Sequence, residues 1–278
     1  MTRALVLGGG GITGIAWEWG VLAGLASAGV DLRSADLVIG TSAGSVVGAQ
    51  VANGLDPAQR YQAQLVPPDG EIAAAFGPTT MARFALAMVG SQAPQRVRQR
   101  IGRLARRAPT TATEADRIAV IESRLPVQSW PSSVRLLITA VDIETGAFRV
   151  FDRDGGVPLV RAVAASCAVP GVWPPVTIEG KRYMDGGVRS GSNADLAEGC
   201  SRVVVLSPMP RSFGPMTGVA AQVEELRRSA EVALVTPDAA ASRAFGRNML
   251  DPAARAAAAR AGLAQASSVV AAVREVWS

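Results

Sequence analysis

The chain has 278 residues, a formal net charge of +5 and no histidine. This excludes the imidazole of a Ser-His-Asp triad and the commonest transition-metal ligand; with only two cysteines, Cys167 and Cys200, a Cys/His zinc site is excluded as well. Any hydrolytic chemistry must run on carboxylates, hydroxyls, backbone amides or arginines.

The remaining totals are less selective. The length is ample for a sizeable core, and 49% hydrophobic residues fit a folded globular chain. Aromatics make up only 5%, so the core is expected to be Ala, Val and Leu. A single lysine, Lys181, among 28 basic residues points to base composition rather than function. Two cysteines make no disulfide framework and read as reduced, buried thiols of a cytoplasmic protein. No secretory leader is evident, and no charge-free apolar run is long enough to span a bilayer.

In chain order, Arg3 to Leu7 reads as a strand, Gly8 to Gly11 as a loop, and Ile15, Leu22, Leu25 and Ala26 as a helix capped by Gly29. A second strand, Asp36 to Ile39, runs into Gly40-Thr41-Ser42-Ala43-Gly44. A helix over Val46 to Ala52 follows, closed by Asn53-Gly54. Two strand–loop–helix units in succession predict an α/β sheet with parallel strands.

From about residue 56 to 125 the pattern turns helical, punctuated by Pro67-Pro68, Gly77-Pro78, Pro94 and Pro109. Between Ile72 and Thr113 there is no carboxylate, while Arg83, Arg96, Arg98, Arg100, Arg103, Arg106 and Arg107 all lie there. Val97, Ile101, Leu104 and Ala108 share one helical face. Such a stripe either packs on the core, with the arginines solvated, or lets the helix lie on an anionic membrane surface.

Strands return at Val134 to Ala140 and Phe148 to Phe151, joined by a turn at Glu144 to Gly146. A helix over Leu159 to Ser166 and a hairpin over Val176 to Met184, turning at Glu179-Gly180, deliver the chain to Asp185-Gly186-Gly187. Ser201 to Leu206 and Val232 to Val235 are the last strands expected. Pro252 to Trp277, broken by charges, reads as a C-terminal helix. The whole is expected to be one domain with a lid-like helical insertion at about 56–125 and a C-terminal helix at about 251–278.

Gly40 to Gly44 matches G-x-S-x-G. A serine on this tight strand-to-helix turn is projected beside the positive end of the next helix, and the flanking glycines avoid collisions across the turn. Gly9 to Gly14 contains G-x-G-x-x-G, with Asp31 about 20 residues on. One reading is a nucleotide-binding Rossmann-like loop. The other is an oxyanion hole built from glycine N–H groups.

Ser42 needs a base, and without histidine the candidates are carboxylates and Lys181. Asp185 is best placed: it ends a strand, and Gly186 and Gly187 permit a tight loop. Lys181 sits on an exposed hairpin. Asn193 either braces the loop after Asp185 or caps a helix from Ala194.

Leu7 to Leu22, Gly40 to Gly44, and Ala165 to Val176 followed by Gly180 to Gly187 together resemble the patatin-like phospholipase family, whose acyl hydrolases use a Ser-Asp dyad and no histidine. The resemblance implies a three-layer α/β/α fold with a mostly parallel central sheet. It implies a lipid acyl hydrolase with Ser42 as nucleophile, Asp185 as base, and an oxyanion hole from Gly9, Gly10, Gly11 and Ala43. Gly40, Gly44, Gly186 and Gly187 support the motifs. It implies no metal or organic cofactor, a lipid or other acyl-ester substrate, and no nucleic-acid partner. The glycine loop departs from the family pattern at Thr13, where Arg or Lys is common. A catalytically silent, membrane-docking relative is the remaining alternative.

Overall fold

The computed structural model describes residues 2–67, 74–75, 78–89, 93–110, 112–211 and 216–278. Pro68, Ile72 and Gly77, used above as boundaries, lie outside the described residues.

Strands β1 (Arg3–Leu7), β2 (Leu37–Gly40), β3 (Arg135–Asp142), β4 (Phe148–Phe151), β5 (Val176–Ile178), β6 (Lys181–Asp185), β7 (Arg202–Leu206) and β8 (Glu231–Val235) form one sheet in the order β5-β6-β3-β2-β1-β7-β8, with β4 paired to β3. From β3 to β8 all neighbours are parallel; β4, β5 and β6 add an antiparallel end. The parallel strands are buried on both faces, as their uninterrupted Val/Leu/Ile runs require.

Helices cover both sides. Leu5, Leu7, Val38, Ile138 and Val204 meet α1 (Gly11–Ser27), α2 (Ala43–Ala52), α7 (Leu159–Ser166) and α10 (Arg255–Trp277). The alternate residues Val6, Ile39, Leu137 and Val205 meet α8 (Val219–Leu226) and the turn at Ala194–Ala197. The expected three-layer α/β/α arrangement is thus present. The hairpin turns as expected, with Glu179 and Gly180 both at positive φ. β1 and α7 begin and end where the sequence places them, whereas α2 starts at Ala43 rather than Val46.

The middle of the chain folds as α3 (Pro57–Leu65), α4 (Pro78–Met88), α5 (Pro94–Arg107) and α6 (Glu114–Arg124). In α5, Val97, Ile101 and Ala105 are buried against Val141, Ile143 and Met184, so the apolar stripe belongs to the core. The stripe runs at i, i+4 spacing through Ala105, while Leu104, one position off that line, is only half-buried. Arg96, Arg103, Arg106 and Arg107 are exposed.

α10 is long and apolar enough to cross a membrane by length and composition. Here it packs along α1 at very short range. A Cβ on Gly20 would lie 2.2 Å from the Ala259 carbonyl, and one on Gly262 would lie 2.3 Å from that of Trp17. Trp17 Nε1 donates to Gln265 at 2.9 Å, and Trp19 Nε1 donates to Gln50 at 2.9 Å. Gln50 in turn donates to the Arg124 carbonyl, fixing the end of α6 to α2.

α1 is buried on nearly every side and carries one carboxyl, Glu18, with no exposure and no hydrogen-bond partner among the described residues. The nearby Gly8 N–H already donates to Leu206 at 2.9 Å. Burial holds the Glu18 carboxyl well above its ordinary range, partly offset by Gly8, so folding favours its neutral form. A raised folded-state pKa makes stability greatest below the unfolded pKa and drains it as pH rises toward the folded value, by about 1.4 kcal/mol per unit. Glu18→Gln, which cannot ionise, is therefore expected to flatten the fall in Tm between pH 5 and 8. Parallel Tm-versus-pH curves for the two proteins would contradict this.

Candidate active site

The site is built where strand ends meet. β2 climbs β3 in parallel to the Gly40–Ile138 pair, while β6 descends β3 antiparallel to the Ala140–Asp185 pair. Their C-terminal ends flank Thr139. Ser42 and Asp185 follow or end these strands, and Ser42 is close enough to favour the charged form of the Asp185 carboxyl. Ser42 is 8% exposed and Asp185 5%.

Ser42 adopts φ 52° and ψ −117°, a strained geometry for a residue with a side chain. It occupies the N-cap of α2, where a serine hydroxyl normally caps the helix, yet it makes no such bond. The strain is held by close packing: a Cβ on Gly44 would sit 2.0 Å from the Leu7 carbonyl, and one on Gly40 2.6 Å from Ser45 Cα. The Gly44 N–H donates to Gly8 at 2.9 Å, and Thr41 N–H to Leu7 at 3.0 Å, which ties the elbow to the glycine loop.

The end of α7 braces both members of the pair. Ser42 N–H donates to Ser166 Oγ at 2.9 Å, and Asp185 N–H donates to the Ala168 carbonyl at 3.0 Å. Cys167 Sγ and Ser45 Oγ both donate to the Ser42 carbonyl, at 3.2 and 2.6 Å. Burial, with the neighbouring Asp185, pushes the Cys167 thiol up to about 11, so it stays a thiol at neutral pH.

Asp185 Oδ1 accepts from the Gly187 N–H at 2.7 Å. A Cβ on Gly186 would lie 2.2 Å from Thr139 Oγ1, so the loop must turn on glycine there. Burial pushes the Asp185 carboxyl up to about 7, against the opposing influence of Ser42 and the Gly187 N–H. A carboxylate becomes a useful base near neutral pH in this way.

The glycine loop supplies donors. Gly9 N–H is committed to the Gly191 carbonyl at 2.7 Å, which removes Gly9 from the expected oxyanion set. The N–H groups of Gly10, Gly11 and Ala43 have no hydrogen-bond partner among the described residues, and neither has that of Ile12, which the sequence reading missed. These groups open α1 and α2, and neither helix has an acidic residue in its first turn to neutralise its positive end. Gly11, Ile12, Ala43 and Ser42 line one cleft of about 30 Å³, room for a water or two. Its other walls are Ile15, Val169, Trp173 and Leu250, with Arg117 and Arg124 of α6. A more open depression between Asn53-Gly54 and Pro131–Val134 lies elsewhere and contains no such nucleophile and base. Asp31 caps its own turn and pairs with Arg33 at 2.7 Å, so it is engaged locally.

Asn193 is left-handed, at φ 50°, and makes no helix cap. Its amide nitrogen lies within 3.0 Å of Thr41 Oγ1, 3.3 Å of Thr139 Oγ1, 2.9 Å of the Ser190 carbonyl and 3.4 Å of the Gly186 carbonyl. It is a brace linking the residue before Ser42 to the residue after Asp185. Arg189 holds its Oδ1 at 2.8 Å and pairs with Asp195. Gln222 gathers Ser190, Ser192 and the Ala194 N–H on its own oxygen.

A buried serine and a buried carboxyl thus lie beside amide donors at the open ends of α1 and α2 in an α/β sheet. Residues 5–198 match the family model described as patatin-like phospholipase. The chain belongs to that family. Among solved structures it is similar to VipD from Legionella pneumophila, with TM-score 0.48 and 11% identity over 97% of this chain and 67% of that one. It is also similar to the type III effector protein ExoU, with TM-score 0.41 and 15% identity over 97% of this chain and 52% of that one. For full-length ExoU in complex with SpcU, from Pseudomonas aeruginosa, the values are 0.42 and 15% over 100% and 53%. The chain spans about half the length of ExoU.

Asn193→Asp keeps the shape and the left-handed backbone but removes the donor amide. It is expected to lower stability by about 1 to 3 kcal/mol, read from the urea midpoint. An unchanged midpoint would contradict the bracing role.

Proposed function

We propose that the protein hydrolyses acyl esters of lipids through a Ser42-Asp185 dyad and an acyl-enzyme. The observation that carries this reading is the strained, buried Ser42 at the N-terminus of α2 beside the buried Asp185 carboxyl, whose pKa is lifted to about 7.

Ionised Asp185 takes the Ser42 proton as Oγ bonds to the ester carbonyl carbon. The tetrahedral oxyanion is received by the N–H groups of Gly10, Gly11 and Ala43. As it collapses, the bond to the leaving alkoxide breaks and neutral Asp185 returns the proton to it. A water then gives its proton to Asp185 and attacks the acyl-enzyme. The fatty acid leaves and Ser42 regains its proton. Each lost oxyanion donor is worth about 3 kcal/mol in such sites. The fold is read as one domain, with a lid-like helical insertion at about 56–125.

The nucleotide-binding alternative loses support where Asp31 is engaged by Arg33 and Gly9 by Gly191. The silent alternative leaves the strained elbow and the raised carboxyl without a purpose.

Ser42→Ala and Asp185→Asn are each expected to abolish hydrolysis of a p-nitrophenyl ester and labelling by a fluorophosphonate while leaving the circular dichroism unchanged. Wild-type rates in either variant would refute the dyad. The base acts as carboxylate, so protonation below its pKa removes activity. kcat/KM should rise about tenfold per pH unit up to about 7 and level off above it. A profile flat from pH 5 to 8 would contradict Asp185 as base.

The same reading places the protein peripherally on anionic membranes in the cytoplasm. Exposed Leu86 and Val89 of the α4 region lie beside the arginine face of α5, a combination suited to an interface. Liposome flotation should increase with anionic lipid content and fall with added salt. Indifference to lipid charge would refute this contact.

A further inference from the structure

The glycine loop is held down by a short strap. Between α9 (Ala239–Phe245) and α10, residues Asn248 to Asp251 cross it. The Met249 carbonyl accepts from the Thr13 N–H at 3.1 Å and lies 3.4 Å from Thr13 Oγ1. Thr13, the position at which the loop departs from the family pattern, is fully buried. A Cβ on Gly11 would lie 2.5 Å from the Met249 carbonyl oxygen and 2.9 Å from Leu250 Cδ2, so the strap presses on the loop at Gly11.

The strap is anchored on both sides of Leu250. Asn248 donates to the Ala74 carbonyl at 2.8 Å and accepts from the Leu250 N–H at 3.2 Å. Asp251 N–H donates to the Asn248 carbonyl at 3.0 Å, and the Asp251 carboxylate accepts from Ala253 N–H at 2.9 Å at the turn into α10. Leu250 packs with Val169 on a small apolar group, Ala112, Val172 and Trp173, that is separate from the main core. The leucine is thus fixed in place where it also lines the cleft with Ser42, Gly11 and Ala43.

Among the described residues that cleft measures about 30 Å³, room for a water or two and far less than a long acyl chain fills. Its walls at Ile12, Ile15 and Val169 suit a hydrocarbon, but Leu250 takes up the space beside Gly11. A chain gains affinity only from the methylenes it can bury. We propose that Leu250 is a specificity-determining residue that cuts the acyl pocket short, so that the preferred esters carry short acyl chains. This limit rests on the acyl-hydrolase reading of Ser42 and Asp185 and names its substrate class. Leu250 shapes the pocket and takes no part in bond making.

p-Nitrophenyl butanoate and octanoate test this. In the wild type, kcat/KM for octanoate is expected to be about tenfold or more below that for butanoate. Leu250→Ala removes three carbons, space for about two methylenes at about fourfold each, so the octanoate-to-butanoate ratio should rise about tenfold. Leu250→Met, which keeps the bulk, should keep the wild-type ratio. A wild-type ratio of one or more, a ratio unmoved in Leu250→Ala, or a Met variant that shifts as far as Ala overturns the limit. General damage to the fold lowers both rates together and leaves the ratio in place. Octanamide, a neutral carbonyl ligand, gives a reading independent of turnover. Its Kd on Ser42→Ala, measured by NMR titration, should tighten about tenfold when Leu250→Ala is added, while that of butanamide should not. Such tightening without hydrolysis of either ester supports the limit and refutes the dyad. Hydrolysis with the ratio and the Kd both unmoved overturns the limit and leaves the dyad standing. Should Leu250→Ala fail to fold, Leu250→Val decides: a rise in the ratio supports the limit and a static ratio overturns it.

Discussion

Along β3, two strands approach each other from opposite directions and stop on either side of Thr139. This single register sets the distance between the serine elbow and the aspartate. Thr139 Oγ1 lies 2.9 Å from Thr41 Oγ1, so the hydroxyls of the junction itself are bonded across it. A slip of one residue in either ladder would turn the chosen side chain to the opposite face of the sheet. The antiparallel hairpin is therefore more than an edge decoration on a parallel sheet. It is what lets a residue more than a hundred positions beyond Ser42 arrive from the other end of the same strand.

The junction is made rigid by a buried polar cluster rather than by apolar packing alone. Asn193, Ser190, Ser192, Thr41, Thr139 and Gln222 are all nearly or fully removed from solvent. Such groups stabilise only when nearly every donor and acceptor is matched, and here the Asn193 and Gln222 amides do most of the matching. The close approach of Gly44 to Leu7 acts on the other side. Between them, the strained Ser42 backbone has no room to relax into an ordinary helix cap.

Much of this was legible in the sequence because it depends on local rules. Strand β1, helix α7 and the Glu179-Gly180 turn follow from periodicity and turn chemistry, and the elbow from glycine spacing around Ser42. The parts that were not legible are bonds between distant segments. Asn193 looked like a cap because caps are local, whereas its partners lie up to 152 positions away. Gly9 looked like a free donor until Gly191 arrived from the far loop. Ser166 and Ala168 lie in a stretch that carried the family resemblance, but their bracing role, receiving backbone N–H groups, left no local signal. α2 begins earlier than its apolar pattern because the elbow strain, not periodicity, starts it. Arg117 could not be picked out among so many arginines; the Trp173 stack distinguishes it.

Burial of Asp185 has one more consequence. In a nearly dry setting the neutral carboxyl is the comfortable form and the carboxylate the uncomfortable one. At rest near neutral pH, the site stands close to the balance point between them. In the proposed reaction the negative charge does not appear from nowhere when Ser42 attacks. It migrates from a carboxylate in apolar surroundings to an oxygen facing the open ends of α1 and α2. The fold thus behaves like a small electrical gradient, with its unfavourable pole at the base and its favourable pole at the glycine loop.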